Sequence, residues 1–136
     1  MWQETLNFLI IRLFGTVALS GVTLKYKILT FWNNFHYLAD VNAIRIGAYT
    51  NIQDDTIVRE AEGPLNEDHD GSTIIGHYVT IGHKCVLRGC TIEDECLVGM
   101  GSVIEEGAYM EYQSMLGGGS VLTKNTRIPS GEVILI

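Results

Sequence analysis

Residues 92–128 read IEDECLVGMGSVIEEGAYMEYQSMLGGGSVLTKNTRI. Every sixth residue from Ile92 is aliphatic or methionine: Ile92, Val98, Ile104, Met110, Leu116, Leu122 and Ile128. A period of six matches neither an amphipathic helix nor the simple alternation of a half-buried strand. Four residues after each large one, and two before the next, stands a small one: Cys96, Ser102, Ala108, Ser114, Ser120 and Thr126. Glycine follows the large residue at Gly99 and Gly117. A large inward side chain, a small one two places before it and glycine at the turn describe a coil with flat sides, each side one short strand. Equivalent sides then stack at the strand spacing of about 4.8 Å. No single coil can bury its own face, so the coils must stack.

The same step runs upstream through Ile75, Ile81 and Leu87, and before that through Ile46, Ile52 and Val58. Glycine follows again at Gly47, Gly76 and Gly82, and the small column continues through Thr50, Thr56, Val79, Cys85 and Thr91. One step, from Leu87 to Ile92, is five residues. Cys85 and Cys96 fall in the small inward column, and Cys90 lies between repeats. Three cysteines without a C-x-x-C spacing read as reduced thiols. The repeat is interrupted at residues 60–72, EAEGPLNEDHDGS, an acid-rich stretch with Pro64 that reads as a protruding loop. No helical period interrupts the repeats, which excludes an α/β fold.

The 136 residues suit one domain, and the net charge of −7 argues against nucleic acid as a partner. The charge is lopsided. Residues 1–36 carry Arg12, Lys25 and Lys27 against Glu4, and the remainder carries the acid excess. Glycine is lopsided too, with all but Gly15 and Gly21 following Ile46. Phe8 to Leu24 is apolar or small except for Arg12. That run predicts a helical lead over residues 1–36, lying on a membrane or packed on a membrane protein, with residues 37–136 as the repeat domain. A membrane-crossing helix, a core helix and a targeting leader are the competing readings.

Residues 40–58 (DVNAIRIGAYTNIQDDTIV), 72–104 (STIIGHYVTIGHKCVLRGCTIEDECLVGMGSVI) and 125–132 (NTRIPSGE) resemble the γ-class carbonic anhydrase family, most nearly the γ-carbonic-anhydrase-like subunits of mitochondrial respiratory complex I. The resemblance implies an all-β fold, a left-handed parallel β-helix of hexapeptide repeats forming a triangular prism, with three hexapeptides per eighteen-residue coil. It also implies a trimer on the matrix side of the mitochondrial inner membrane, and a lead helix packed on the membrane arm. The family has further coils ahead of its R-G-D run and a helix after I-P-S-G-E. Here the lead occupies the first place and the chain ends at Ile136, so open prism ends needing partner chains are expected.

The family's zinc lies at a subunit interface on three histidines, two from one subunit and one from its neighbour. Carried over residue by residue, those positions are Arg59, His83 and Arg88. Two arginines stand where histidines should be. A guanidinium has no lone pair to give a metal and repels it by its charge. His83 is the position the family turns toward the neighbouring subunit. Gln53 and Asp54 match the family's Q-D pair, and Asp40 matches the aspartate of R-G-D-V-N, all three at the trimer interface. Leu38 replaces the arginine of that run, which in the family pairs with the aspartate corresponding to Asp54. Losing that pair at a single interface favours a heterotrimer over a homotrimer.

His77 reads as a turn residue or a second ligand, and EDHD at 67–70 as solvated loop acids or a metal-binding stretch. Tyr109 and Tyr112 are expected to face outward. Three functions follow. The first is a non-catalytic structural subunit of complex I, without CO2 hydration by the isolated chain and without a cofactor of its own. In the second, the chain lends His83 to a zinc site shared with an intact neighbour. The third is a hexapeptide-repeat acyltransferase with a general-base histidine.

Overall fold

The computed structural model describes residues 6–13, 17–20, 24–31 and 35–38 as backbone strands, and residues 44–61, 63–65 and 70–135 with their side chains. The strands are β1 (Leu6–Leu13), β2 (Val17–Ser20), β3 (Leu24–Phe31), β4 (Phe35–Leu38), β5 (Ile44–Ile46), β6 (Thr50–Ile52), β7 (Ile57–Arg59), β8 (Thr73–Ile75) and β9 (Thr80–Ile81). They continue as β10 (Val86–Arg88), β11 (Thr91–Ile92), β12 (Leu97–Val98), β13 (Val103–Ile104), β14 (Tyr109–Met110), β15 (Met115–Leu116), β16 (Val121–Leu122), β17 (Arg127–Ile128) and β18 (Val133–Ile134).

All strand pairs are parallel and sort into three sheets. The first runs β1-β3-β6-β9-β12-β15-β18, the second β16-β13-β10-β7-β4-β2 and the third β17-β14-β11-β8-β5. Consecutive strands fall on different sheets from β4 onward, so the chain visits the three faces in turn and climbs one strand per circuit. The fold is a left-handed parallel β-helix. Paired residues are eighteen apart in the last coils, as in Thr91↔Tyr109 and Met115↔Val133. The offset shortens to seventeen across the five-residue step, as in Val86↔Val103, and widens to twenty-nine where the acid-rich stretch leaves the coil, as in Ile57↔Val86. The base of that excursion is closed by the Ala61 N–H donating to the Gly71 carbonyl at 2.8 Å.

The six-residue column is the core. Ile46, Ile52, Val58, Ile75, Ile81, Leu87, Ile92, Val98, Ile104, Met110, Leu116, Leu122 and Ile128 are all buried. The small column lies beside it, buried except for the half-buried Thr91 and Thr126; several of its polar members bond to the backbone of the coil above, while Ser114 Oγ donates to the Glu111 carbonyl of its own corner. Thr50 Oγ1 donates to the Gly76 carbonyl and Thr56 Oγ1 to the Gly82 carbonyl, both at 2.7 Å. Cys85 Sγ and Ser102 Oγ reach the Gly99 and Gly117 carbonyls in the same way. These bonds explain why hydroxyls and thiols sit inside an aliphatic prism without a desolvation penalty.

Two expectations are corrected. The lead is not helical in its described residues: β1 to β4 are strands, and β1 pairs with β3 at the eighteen-residue offset of the coils downstream, as in Leu6↔Leu24. Its aromatic and β-branched residues, Phe8, Ile10, Ile11 and Val17 among them, fit a pleated surface better than a helix. A continuous apolar run cannot be told from a buried helix by periodicity. Among the described residues no helix is long and apolar enough to cross a membrane. In the core, Cys90 rather than Thr91 takes the small inward position. Cys90 is fully buried, whereas Thr91 lies in β11 opposite Ile74. The five-residue step removes one residue from that corner, with Gly89 in the left-handed region at φ 57°.

The glycines that follow the large residues serve close approach rather than conformational freedom. A Cβ on Gly99 would lie 2.3 Å from the Gly118 nitrogen of the next coil, and one on Gly47 would lie 2.4 Å from the Gly76 carbonyl carbon. The left-handed residues of the corners stand two places further on, and many are not glycine: Tyr49, Asp55, Tyr78, Lys84, Glu95 and Gln113 all have positive φ. Tyr49 and Tyr78, on adjacent coils, stack with ring centroids 5.0 Å apart, an interaction that offsets part of the backbone cost.

Gly99→Ala is expected to destabilise the chain by about 3 kcal/mol by overpacking stacked backbone. Gly101→Ala, at φ +71° with open space around it, should cost about 1 kcal/mol. Urea unfolding of the two variants checks the order. Burial pushes the Cys90 thiol up to about 12 from 9.0. The folded thiol therefore keeps its proton where the unfolded one loses it. This leaves stability unaffected below pH 9 and lowers it as pH climbs toward 12. Unfolding at stepped pH should show a weaker alkaline decline in Cys90→Ala than in the wild type.

Candidate functional site

Arg59 and Arg88 end β7 and β10, and they are direct partners in the register of the second sheet. Strand alternation turns Val58 and Leu87 into the core, and so turns both arginines outward on the same face. Leu38 is the partner of Arg59 on the other side, in β4. The three positions thus form one column at one end of the second face. Arg88 Nε lies 3.2 Å from Glu106 Oε1. Arg59 Nε is buried and has no hydrogen-bond partner among the described residues.

His83 lies at the opposite end of this face, on the corner between β9 and β10. The His83–Lys84 turn and the whole of β10 separate it from Arg88. The three ligand-pattern positions therefore do not converge within one chain. His83 sits one coil above Asp54: the Asp54 N–H donates to His83 Nδ1 at 3.1 Å, and Asp54 Oδ2 is 3.9 Å from the same nitrogen. An Nδ1 that accepts a hydrogen bond places the proton of a neutral imidazole on Nε2. His77 has the equivalent geometry on the preceding corner, its Nδ1 accepting from the Ala48 N–H at 2.7 Å. In both cases the ring caps a backbone N–H of the coil below. Asp94 does the same one coil higher, accepting from the His77 N–H, whereas Glu93, Glu105 and Glu111 reach the other way and accept from the Tyr112, Lys124 and Ser130 N–H groups of the coil above.

An open hollow of about 510 Å³ adjoins His83, lined by Asp54, Asp55, Lys84, Met100 and Gly101. Gln53 lies beside it at the end of β6, and its N–H is taken by the Ile81 carbonyl. Asp40 lies outside the described residues, as do Glu67, Asp68 and His69 of the loop. Among the described residues no group of three or more histidines, cysteines or carboxylates could hold a metal ion. The residues at the two paired positions do not fit zinc, because both are guanidinium cations.

Sequence reasoning missed the network on the third face. Tyr109 donates to Glu93 at 2.5 Å, and Arg127 lies 4.4 Å above the Tyr109 ring while its Nε donates to Glu111 at 2.5 Å. Bonding to the Glu93 carboxylate raises the Tyr109 phenol, and the Arg127 guanidinium lowers the Glu111 carboxyl. The eighteen-residue spacing of Tyr109 and Arg127 was the available signal. The network ties three successive coils together and has the character of surface support.

The comparisons fit this geometry. No family model matches the sequence. The chain is similar to two mitochondrial proteins of Arabidopsis thaliana, gamma carbonic anhydrase 1 (45% identical, covering 76% of this chain and 38% of that one) and gamma carbonic anhydrase 2 (43%, covering 76% and 37%). It thus spans less than half the length of these relatives. Among solved structures it is similar to a hexapeptide transferase family protein from Anaplasma phagocytophilum, with 31% identity, a TM-score of 0.71, and coverage of 98% of this chain and 80% of that one.

Because the register brings positions 59 and 88 together, the double variant Arg59→His/Arg88→His should place two imidazoles on adjacent strands. It is expected to bind zinc roughly tenfold or more tighter than the wild-type chain. Titration with a competing zinc chromophore reads this out, and no gain would show that the two side chains cannot reach a common ion.

Proposed function

This chain belongs to the hexapeptide-repeat β-helix proteins, its curated homologues are γ carbonic anhydrases and γ-carbonic-anhydrase-like proteins, and from that premise we propose that it is a non-catalytic structural subunit of mitochondrial complex I. In this reading it joins other γ-carbonic-anhydrase-like subunits in a heterotrimer on the matrix side of the inner membrane, against the membrane arm. Residues 1–36 face that arm. The observation that carries the reading is the in-register stack of Arg59 on Arg88, where the family resemblance calls for two histidines. The mitochondrial names among the homologues support the location.

Purification of the native protein under mild detergent tests the proposal. Complex I membrane-arm subunits are expected to come with it, and a lone soluble trimer would refute it. The isolated chain is expected to show no CO2 hydration above the uncatalysed rate in a stopped-flow pH assay.

A second reading rests on His83. Exposed by about a third at the corner, it could serve a zinc ion whose other ligands belong to an intact neighbour. Ligation through Nε2 requires Nδ1 to release the Asp54 N–H and carry the proton itself, with the Asp54 carboxylate as its acceptor. His83→Ala should then lower the zinc content of the purified assembly, and unchanged zinc would eliminate this role. The acyltransferase reading predicts binding heat with acetyl-CoA, and its absence removes that reading.

A further inference from the structure

The geometry points to an oxyanion-binding site at Arg59 and Arg88, of a kind that takes one planar, singly charged group: a carboxylate or bicarbonate. The two arginines leave adjacent parallel strands as register partners, with backbones about 4.8 Å apart. Two guanidinium groups at that spacing repel unless anions lie between or beside them. Arg88 has Glu106 at 3.2 Å. Arg59 forms no ion pair among the described residues, and its buried Nε lacks an acceptor. Glu60, the next residue along, does not supply the counter-charge. It is turned inward at 4% exposure, its Oε2 is itself without a partner, and it makes no ion pair with Arg59. Leu38, on the neighbouring coil, brings no charge to the column. Among the described residues the corner is therefore left with one unbalanced guanidinium.

A planar two-oxygen anion matches the forked donors of arginine in a bidentate pair, and the neighbouring guanidinium adds charge from the next coil. The Arg59 backbone is fixed for the task. Its carbonyl accepts from Thr73 Oγ1 and from the Gly89 N–H, so the side chain is presented from a rigid corner. The oxyanion can come from a side chain of a neighbouring subunit or from free bicarbonate.

Calorimetric titration of the full chain with sodium bicarbonate, and separately with sodium acetate, at constant ionic strength tests the site. Both anions are expected to bind. Arg59→Gln should weaken both at least tenfold and Arg59→Lys should weaken them less, while Arg127→Gln on the third face leaves them unchanged. If a neighbour supplies the carboxylate, the anions bind the dissociated chain but not the assembly, and Arg59→Gln weakens assembly. If free bicarbonate is the ligand, the assembly binds it as well. Absence of binding in every state together with unchanged assembly in Arg59→Gln, or an equal loss in Arg127→Gln, would overturn the proposal.

Discussion

Everything in this molecule depends on the parallel register between successive coils. Each strand is only two or three residues long from β5 onward, too short to be stable alone, and is held by hydrogen bonds to the strands of neighbouring coils. Once the register is set, every side chain belongs to a column. Columns of large aliphatics fill the prism, columns of Thr, Ser and Cys bond upward to corner carbonyls, and columns of glycine let the corners touch. Departures from eighteen residues per coil are absorbed at corners. The acid-rich excursion and the five-residue step change the offset to twenty-nine and seventeen without moving a core residue out of its column.

The same constraint defines what the candidate site can do. Register places Arg59 against Arg88 and His83 above Asp54, and it places these two pairs at opposite ends of one face. A rigid prism cannot fold its own corners together, so chemistry that needs both ends requires a second subunit. Within the chain, His83 and His77 behave alike: each ring caps a backbone N–H of the coil beneath. The arginine pair makes its end of the face a positively charged corner.

Much of this was legible from residues because a six-residue period constrains the fold more tightly than local propensity does. The core column from Ile46 to Ile128 and the outward direction of Arg59 and Arg88 follow from counting alone. The lead was misread because Phe8 to Leu24 lacks the polar punctuation that marks the later corners, and a continuous apolar run carries no period. Cys90 was displaced by one place because the five-residue step removes its residue at the corner, which counting by six cannot locate. The role of the glycines was half visible. Their column showed in the sequence, but only coordinates reveal that Gly99 is needed for contact with Gly118 and not for a left-handed turn. The contacts of His83 were invisible in sequence, since its partner Asp54 is twenty-nine residues away.

With arginine at positions 59 and 88, where the family resemblance calls for zinc-ligating histidines, any assembly containing this chain is expected to lack zinc at the interface those residues build. The zinc content of the purified native assembly, counted per subunit interface by elemental analysis, is the direct test. Fewer zinc ions than interfaces are expected, and one zinc ion at every interface would overturn this reading.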